Sequence, residues 1–422
     1  MIRTFTRHTK QLICLISLSY CCASAATEWQ VVAVDKQMQI NDEHGQSQTI
    51  HPACALDYVS SPLDGSPLDN SFHFYVKPGK SKDVLVFFNG GGACWNDATC
   101  VASLGLAQVP GARPSYNPSI LQANSPQQAG GIFDDSNPEN PTKDWTKVFI
   151  PYCTGDIHIG SKDVTYTDQD GSVTGFPGAP MTIKHRGFDN FMAVREWMKN
   201  NLRKPAKLLV AGSSAGAYGA TLNFAHLQSA FPRSRLYLLS DGGASVVTQG
   251  FIDSVFDFDG NWNVEHTLPQ QFADHLGTYS AFDFNARTML SLAYRYPLAR
   301  FAQYTTEQDA VQVQFLKIMD QIDAGNTNPY TWGLSEADYL YFIEWNLRMK
   351  LSFGLISTTS FNYQYYIGKG MVHTVLTDAF ATADMPHPFY MEQSAQNVKF
   401  TDWLDRFIDS RWFREQSVAY QP

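Results

Sequence analysis

The chain is short of positive charge. Its 422 residues carry 31 lysines and arginines against 40 aspartates and glutamates, a formal net charge of −9. Gripping a phosphate backbone takes a basic face, so this deficit argues against a nucleic-acid partner. Long apolar runs are also lacking. The N-terminal run, 12–22, is too short for a membrane-spanning helix, which needs about 20 residues, and no later segment reads as a span. Cysteine is scarce, with seven in all and no Cys-x-x-Cys pair, so the usual zinc spacing is missing. Internal repeats and low-complexity tracts are absent too. What remains is 44 % apolar and 17 % charged, the balance of a chain that buries a large core.

The first 25 residues read as an export signal. Arg3, Arg7 and Lys10 precede the apolar run, and Ala23-Ser24-Ala25 supplies small residues for cleavage. Tyr20 before Cys21 is too bulky for a lipoprotein site, so no stable membrane anchor is expected. A secreted or periplasmic protein follows from this reading. Cleavage leaves four cysteines, Cys54, Cys94, Cys100 and Cys153, an even number that implies two disulfides with three possible pairings. The most local pairing joins Cys94 to Cys100 and leaves Cys54 for Cys153.

Residues 26–422 read as one catalytic domain. Short β-branched apolar runs at 29–34, 71–76, 83–88, 147–150, 207–211, 235–240, 300–304 and 361–367 have the character of strands. Helical patterns at 188–202, 214–230, 307–324, 335–350 and 397–410 alternate with them. This alternation predicts an α/β fold with a mostly parallel central sheet flanked by helices. Three segments fit poorly and read as insertions. The first, 102–142, is rich in Pro, Gly, Asn, Ser and Gln and is expected on the surface. The others, 249–299 and 332–355, are rich in aromatics and are candidates for lids.

One pattern carries chemistry most directly. The apolar run Leu208-Leu209-Val210-Ala211 enters Gly212-Ser213-Ser214-Ala215-Gly216, and a helical pattern follows. Gly-x-Ser-x-Gly between strand and helix lifts its serine onto a sharp turn, with helix-start amides aimed at developing negative charge. Ser214 is therefore the candidate nucleophile. A second strand, Val84-Leu85-Val86-Phe87-Phe88, ends in Asn89-Gly90-Gly91-Gly92. Three glycines let backbone amides approach a ligand, so Gly91, Gly92 and Ala215 are candidate oxyanion donors. No Lys-Ser or Lys-Thr follows those glycines, which excludes a Walker phosphate loop.

An activated serine needs a base and a group to orient that base. In the α/β-hydrolase order the acid and then the histidine follow the serine. His226 stands on the helical pattern that begins at Ser214, some 18 Å along it at 1.5 Å per residue, and reads as a packing or surface residue. His373 follows the last strand in a glycine-bearing loop and is the candidate base, with His387 between two prolines as the alternative. Asp309 after 300–304 is the candidate acid, with Glu307 close by. A helix N-cap explains the same aspartate equally well. Asp156, His158 and Asp241 are possible pocket residues or structural ones.

Several segments resemble one family in order along the chain. They are Asn89-Gly90-Gly91-Gly92-Ala93-Cys94-Trp95, Tyr152-Cys153-Thr154-Gly155-Asp156, Arg186-Gly187, the Ser214 elbow, and Ser240-Asp241-Gly242-Gly243. Together they are similar to the pectin acetylesterase family of secreted α/β-hydrolase esterases. Asn89 stands where that family has glutamate, and Ala93 where it has tryptophan. The resemblance implies Asp309 as the acid, through its Asp-x-x-Gln context with Gln312, and His373 as the base by position. It implies no metal and no organic cofactor, and an ester substrate such as an O-acetylated polysaccharide of the pectin kind. Two other readings stay open: a longer-chain acyl esterase, lipase-like or polyester-degrading, and a hydrolase-fold binding protein without turnover.

Overall fold

A computed structural model of the chain describes residues 28–41, 45–57, 70–120, 125–377, 397–409 and 417–420. The expected export signal and His387 lie outside them. Thirteen strands occur among the described residues. They are β1 (Gln30–Ala33), β2 (Met38–Asn41), β3 (Ser47–Ile50), β4 (His73–Lys77), β5 (Val84–Phe88), β6 (Thr146–Ile150) and β7 (Lys162–Asp168). There follow β8 (Ala179–His185), β9 (Lys207–Ser213), β10 (Arg235–Asp241), β11 (Arg300–Thr306), β12 (Tyr363–Gly368) and β13 (Val418–Ala419).

Nine strands form one sheet in the order β1-β4-β6-β5-β9-β10-β11-β12-β13. β1 with β4 and β4 with β6 are antiparallel, and every later neighbour pair is parallel. The strand sequences explain this placement. In β5 all five residues are buried, and alternate side chains enter different cores. Val84, Val86 and Phe88 join one cluster with Leu208 and Val210, while Leu85 and Phe87 join another with Leu209 and Ala211. A strand buried on both faces reads as a continuous apolar run, and parallel pairing needs both faces covered. Helix Gly187–Asn201 covers one face and helix Phe400–Asp409 the other.

Three expectations are corrected here. The helical pattern over 214–230 is two helices, Ala215–Leu222 and Phe224–Ala230, broken at Asn223. The Asn223 amide donates to the carbonyls of both His158 and Gly219 at 3.0 Å, so its side chain competes with the helical ladder. The 335–350 pattern becomes a helix over Tyr339–Thr359, which starts four residues later and ends nine residues later, with the Thr358 and Thr359 hydroxyls donating to the Gly354 and Leu355 carbonyls in its last turn. The 102–142 segment is not purely a surface excursion, since Leu104, Tyr116, Ile132 and Phe133 in it are buried.

Register sets the functional edge. Phe88 pairs with Gly212, Gly212 with Ser240, and Asp241 with both Ser213 and Tyr304. The strand ends that precede the glycine loop, the Ser214 turn and the Asp309 turn therefore open at one side of the sheet, where α/β folds gather their ligand loops.

Candidate active site

Ser214 leaves β9 with φ 57° and ψ −125°, a backbone conformation that non-glycine residues rarely hold. Its neighbours make that turn possible. A Cβ on Gly212 would meet the Gly216 carbonyl oxygen at 2.1 Å, and one on Gly216 would meet the Phe88 oxygen at 1.9 Å. The two glycines are thus required by close backbone approach. The Ser214 amide donates to the Asp241 carbonyl at 2.8 Å, which fixes the turn to the end of β10.

His373 comes from the loop after β12 and Asp309 from the turn after β11. His373 Nδ1 lies 2.9 and 2.8 Å from the two Asp309 oxygens, and both residues are buried. Asp309 is also the N-cap of helix Ala310–Asp323, accepting from the amides of Val311 and Gln312. The cap and the imidazole partner are therefore one residue in two roles. The Gln312 amide steadies it, donating to Asp309 Oδ2 at 2.7 Å. Glu307 is not the partner of His373. Its carboxylate receives the Gly370 amide at 3.5 Å instead.

Ser214 and His373 line the same two cavities. One is an apolar recess of about 60 Å³ walled by Trp95, Val246, Phe251, Phe315 and Met319. The other is a groove of about 630 Å³ bordered by Leu106, Arg113, Asn117, Tyr330 and Trp332. Gly92 borders both and Ala215 the recess, whereas Gly91 borders the groove alone. The Asn117 amide donates to the Gly91 carbonyl and the Ala93 amide to the Ser115 carbonyl. These bonds bracket an isolated bridge between Gly92 and Tyr116. In such a bridge the amide of the central residue points away from the partner segment, so Gly92 N–H turns from 115–117.

The other candidates lie behind this surface. Asp156, His158 and Asp241 are fully buried and line neither cavity. Burial pushes the Asp241 carboxyl up to about 6, partly offset by hydrogen bonds from Ser213 Oγ and the amides of Leu376 and Val375. Asp241 thereby ties the elbow to the loop that bears His373. Burial likewise raises Asp156 to about 6, and its oxygens accept from Thr154, Gly187 and His158. His158 falls to about 4 through burial. Its Nε2 lies 2.9 Å from the Asn89 carbonyl, so it holds the residue before the three glycines. His226 is a packing residue, 3.0 Å from the Thr267 carbonyl and beside the Phe188 ring. His266 and His275 are exposed.

The four cysteines form two disulfides, Cys54–Cys153 and Cys94–Cys100. The second lies on the segment that leaves the glycine loop, and the Cys94 amide donates to the Gly155 carbonyl at 2.8 Å.

The profile of the pectinacetylesterase family matches residues 48–288. The chain belongs to this family. The matched span holds the glycine loop and Ser214, while Asp309 and His373 lie beyond it. Among individual relatives, the palmitoleoyl-protein carboxylesterase notum1' of Xenopus laevis is 29 % identical over 193 residues, 45 % of this chain and 32 % of that protein. The notum1a enzyme of Danio rerio is 30 % identical over 164 residues, 38 % of this chain and 28 % of that protein. The chain thus spans about a third of the length of the curated relatives it matches. The solved structure of the Wnt deacylase Notum from Drosophila superposes with a TM-score of 0.53 at 15 % identity, covering 88 % of this chain and 96 % of that one. This likeness shows an α/β-hydrolase-like fold, and unlike the family profile it extends well past residue 288.

Sequence reasoning left the role of Asp241 open and did not find the recess walls. Asp241 carried a visible signal, an acidic residue at the end of an apolar strand. The recess walls Trp95, Phe251 and Met319 come from separate segments, and nothing local in the sequence brings them together.

Proposed function

We propose that the protein is an exported serine carboxylesterase that removes acetyl groups from an O-acetylated polysaccharide. The observation that carries the acyl assignment is the size of the recess beside Ser214. An engineered apolar cavity of about 150 Å³ holds a single benzene. A recess of about 60 Å³ suits a two-carbon acyl group, and a long chain would have to run out of it. The palmitoleoyl group named for the relatives would not fit it. The tenfold larger groove that shares Ser214 with the recess suits a bulky alcohol such as a sugar chain, with Tyr330 exposed beside it as a stacking surface.

In this reading Ser214 Oγ attacks the acetyl carbonyl while His373 Nε2 takes its proton. Asp309 accepts a hydrogen bond from His373 Nδ1–H and stabilises the imidazolium. The amides of Gly92 and Ala215, with Gly91 alongside, receive the oxyanion of the tetrahedral intermediate. His373 then protonates the departing sugar oxygen. Water, activated by the same imidazole, releases acetate from the acyl-enzyme. An N-terminal export signal and two disulfides support action outside the cytoplasm.

The test is acetate release from acetylated pectin and acetylated xylan, with Ser214→Ala as control. Serine-dependent release supports the reading, and the preferred polymer identifies the sugar. Cleavage of nitrophenyl esters without release from either polymer would keep the nucleophile and overturn the polysaccharide assignment.

A further inference from the structure

Helix Tyr339–Thr359 is apolar on opposite sides. Trp345, Met349, Phe353 and Ile356 are buried, and the first three pack with Ala244, Val313 and Leu316. On the other side Leu340, Ile343, Leu347, Leu351 and Leu355 are each more than half exposed. An ordinary surface helix has one apolar stripe, facing the core, so the second stripe is in excess of what this fold buries. The five exposed side chains present on the order of 500 Å² of apolar surface, the size of the largest patch on an ordinary monomer, which is often functional.

We propose that this face is covered by the same face of a second copy of the chain, in an antiparallel helix pair whose two-fold axis passes at Leu347. Residues 340, 347 and 354 recur at seven, with apolar 343 and 351 between them, which is the spacing of a helix–helix seam. A two-fold axis makes the surface meet itself, so residues equally far before and after 347 face each other. Leu340 then lies over Gly354, where a Cβ would meet nothing within 4 Å and the backbone leaves room for a leucine. Ile343 meets Leu351. Exposed Glu344 meets exposed Lys350, once on each side of the axis. A parallel pairing would instead set Glu344 beside Glu344. Two such faces bury about 1,000 Å² in total, the lower bound for a specific interface, and exposed Tyr339 and Phe361 extend it.

The pairing would also brace the site. The Asn346 amide donates to the Glu307 carbonyl, two residues before Asp309, and Arg348 donates to the carbonyl of Val247, a recess residue.

Sedimentation velocity of the full chain at 1–100 μM tests this. The expected result is a particle of twice the chain mass. Leu347→Glu should give half that mass with an unchanged far-UV circular dichroism spectrum. Glu344→Lys should raise the dissociation constant at least tenfold, and adding Lys350→Glu should restore the dimer, a rescue only the antiparallel register allows. Leu347→Cys should oxidise to a covalent dimer. A monomer at every concentration, or a dimer indifferent to these changes, would overturn the proposal. So would flotation with phosphatidylcholine vesicles in place of self-association, which would make the face a lipid-binding surface.

Discussion

The Ser213 hydroxyl donates to Asp241 Oδ2 at 2.6 Å, one residue before the candidate nucleophile. The same carboxylate accepts the amides of Val375 and Leu376, just after His373. One buried group thereby ties the turn that bears Ser214 to the loop that bears His373.

Acidification tests the buried groups. Asp241 and Asp156 have folded pKa values raised by burial from 3.8 to about 6. Their stabilising contribution is complete below 3.8 and is lost as pH rises through about 6. His158 and His185, lowered by burial from 6.5 to about 4, act oppositely: their contribution is present above 6.5 and lost as pH falls through about 4. The two pairs offset each other between pH 4 and 6.5. Asp241→Asn removes one carboxyl, so its melting temperature should fall further than the parent's between pH 7 and pH 4.5. Parallel curves would show that Asp241 does not titrate in this window.

Asp309 combines two functions that substitution can separate. Asparagine can still cap helix Ala310–Asp323 but cannot carry the charge that stabilises an imidazolium. If the proposed mechanism holds, Asp309→Asn should keep most of its stability while kcat falls by about 10⁴-fold, the loss seen when the aspartate of a serine-protease triad becomes asparagine. Asp309→Ala should lose the same activity and in addition about 1 kcal/mol of stability with the cap. Urea unfolding beside nitrophenyl acetate turnover reads both.

The recess should respond to its walls. Met319→Ala or Phe251→Ala widens it, so the kcat/KM ratio of nitrophenyl hexanoate to acetate should rise at least tenfold, the scale set by added methylenes in a fitted pocket. An unchanged ratio would mean that the acyl group lies elsewhere.

The disulfides should differ in worth. Cys54–Cys153 spans 99 residues and Cys94–Cys100 spans 6. Loop-closure entropy assigns them about 5 and about 2 kcal/mol. Serine pairs at 54 and 153 should unfold at clearly lower urea than pairs at 94 and 100. The second variant should lose activity in greater proportion, because it loosens the segment that leaves the glycine loop 90–92.

The central sheet was legible because its strands are apolar on both faces, as in Val84–Phe88 and Lys207–Ser213. The elbow was legible because Gly212 and Gly216 are required by backbone contacts close to the serine in sequence. The hairpin of β7 and β8 went unread. Its alternation of Val164 and Tyr166 against polar neighbours is short, and Met181 and Ile183 repeat it after a glycine-rich turn. The helix break at Asn223 depends on the His158 carbonyl, 65 residues away, and no local pattern encodes it. The choice of Asp309 over Glu307 was likewise open locally, since both follow β11. It is decided by where the His373 loop returns.

The proposed reacting groups all issue from strand ends, whereas the groove is bordered largely by 106–117 and 329–334. The fold thus keeps the proposed reacting groups and most of the groove wall on separate segments. If the proposed reaction holds, grafting those two segments from a related chain should change which alcohol is accepted and leave Ser214, His373 and Asp309 in place.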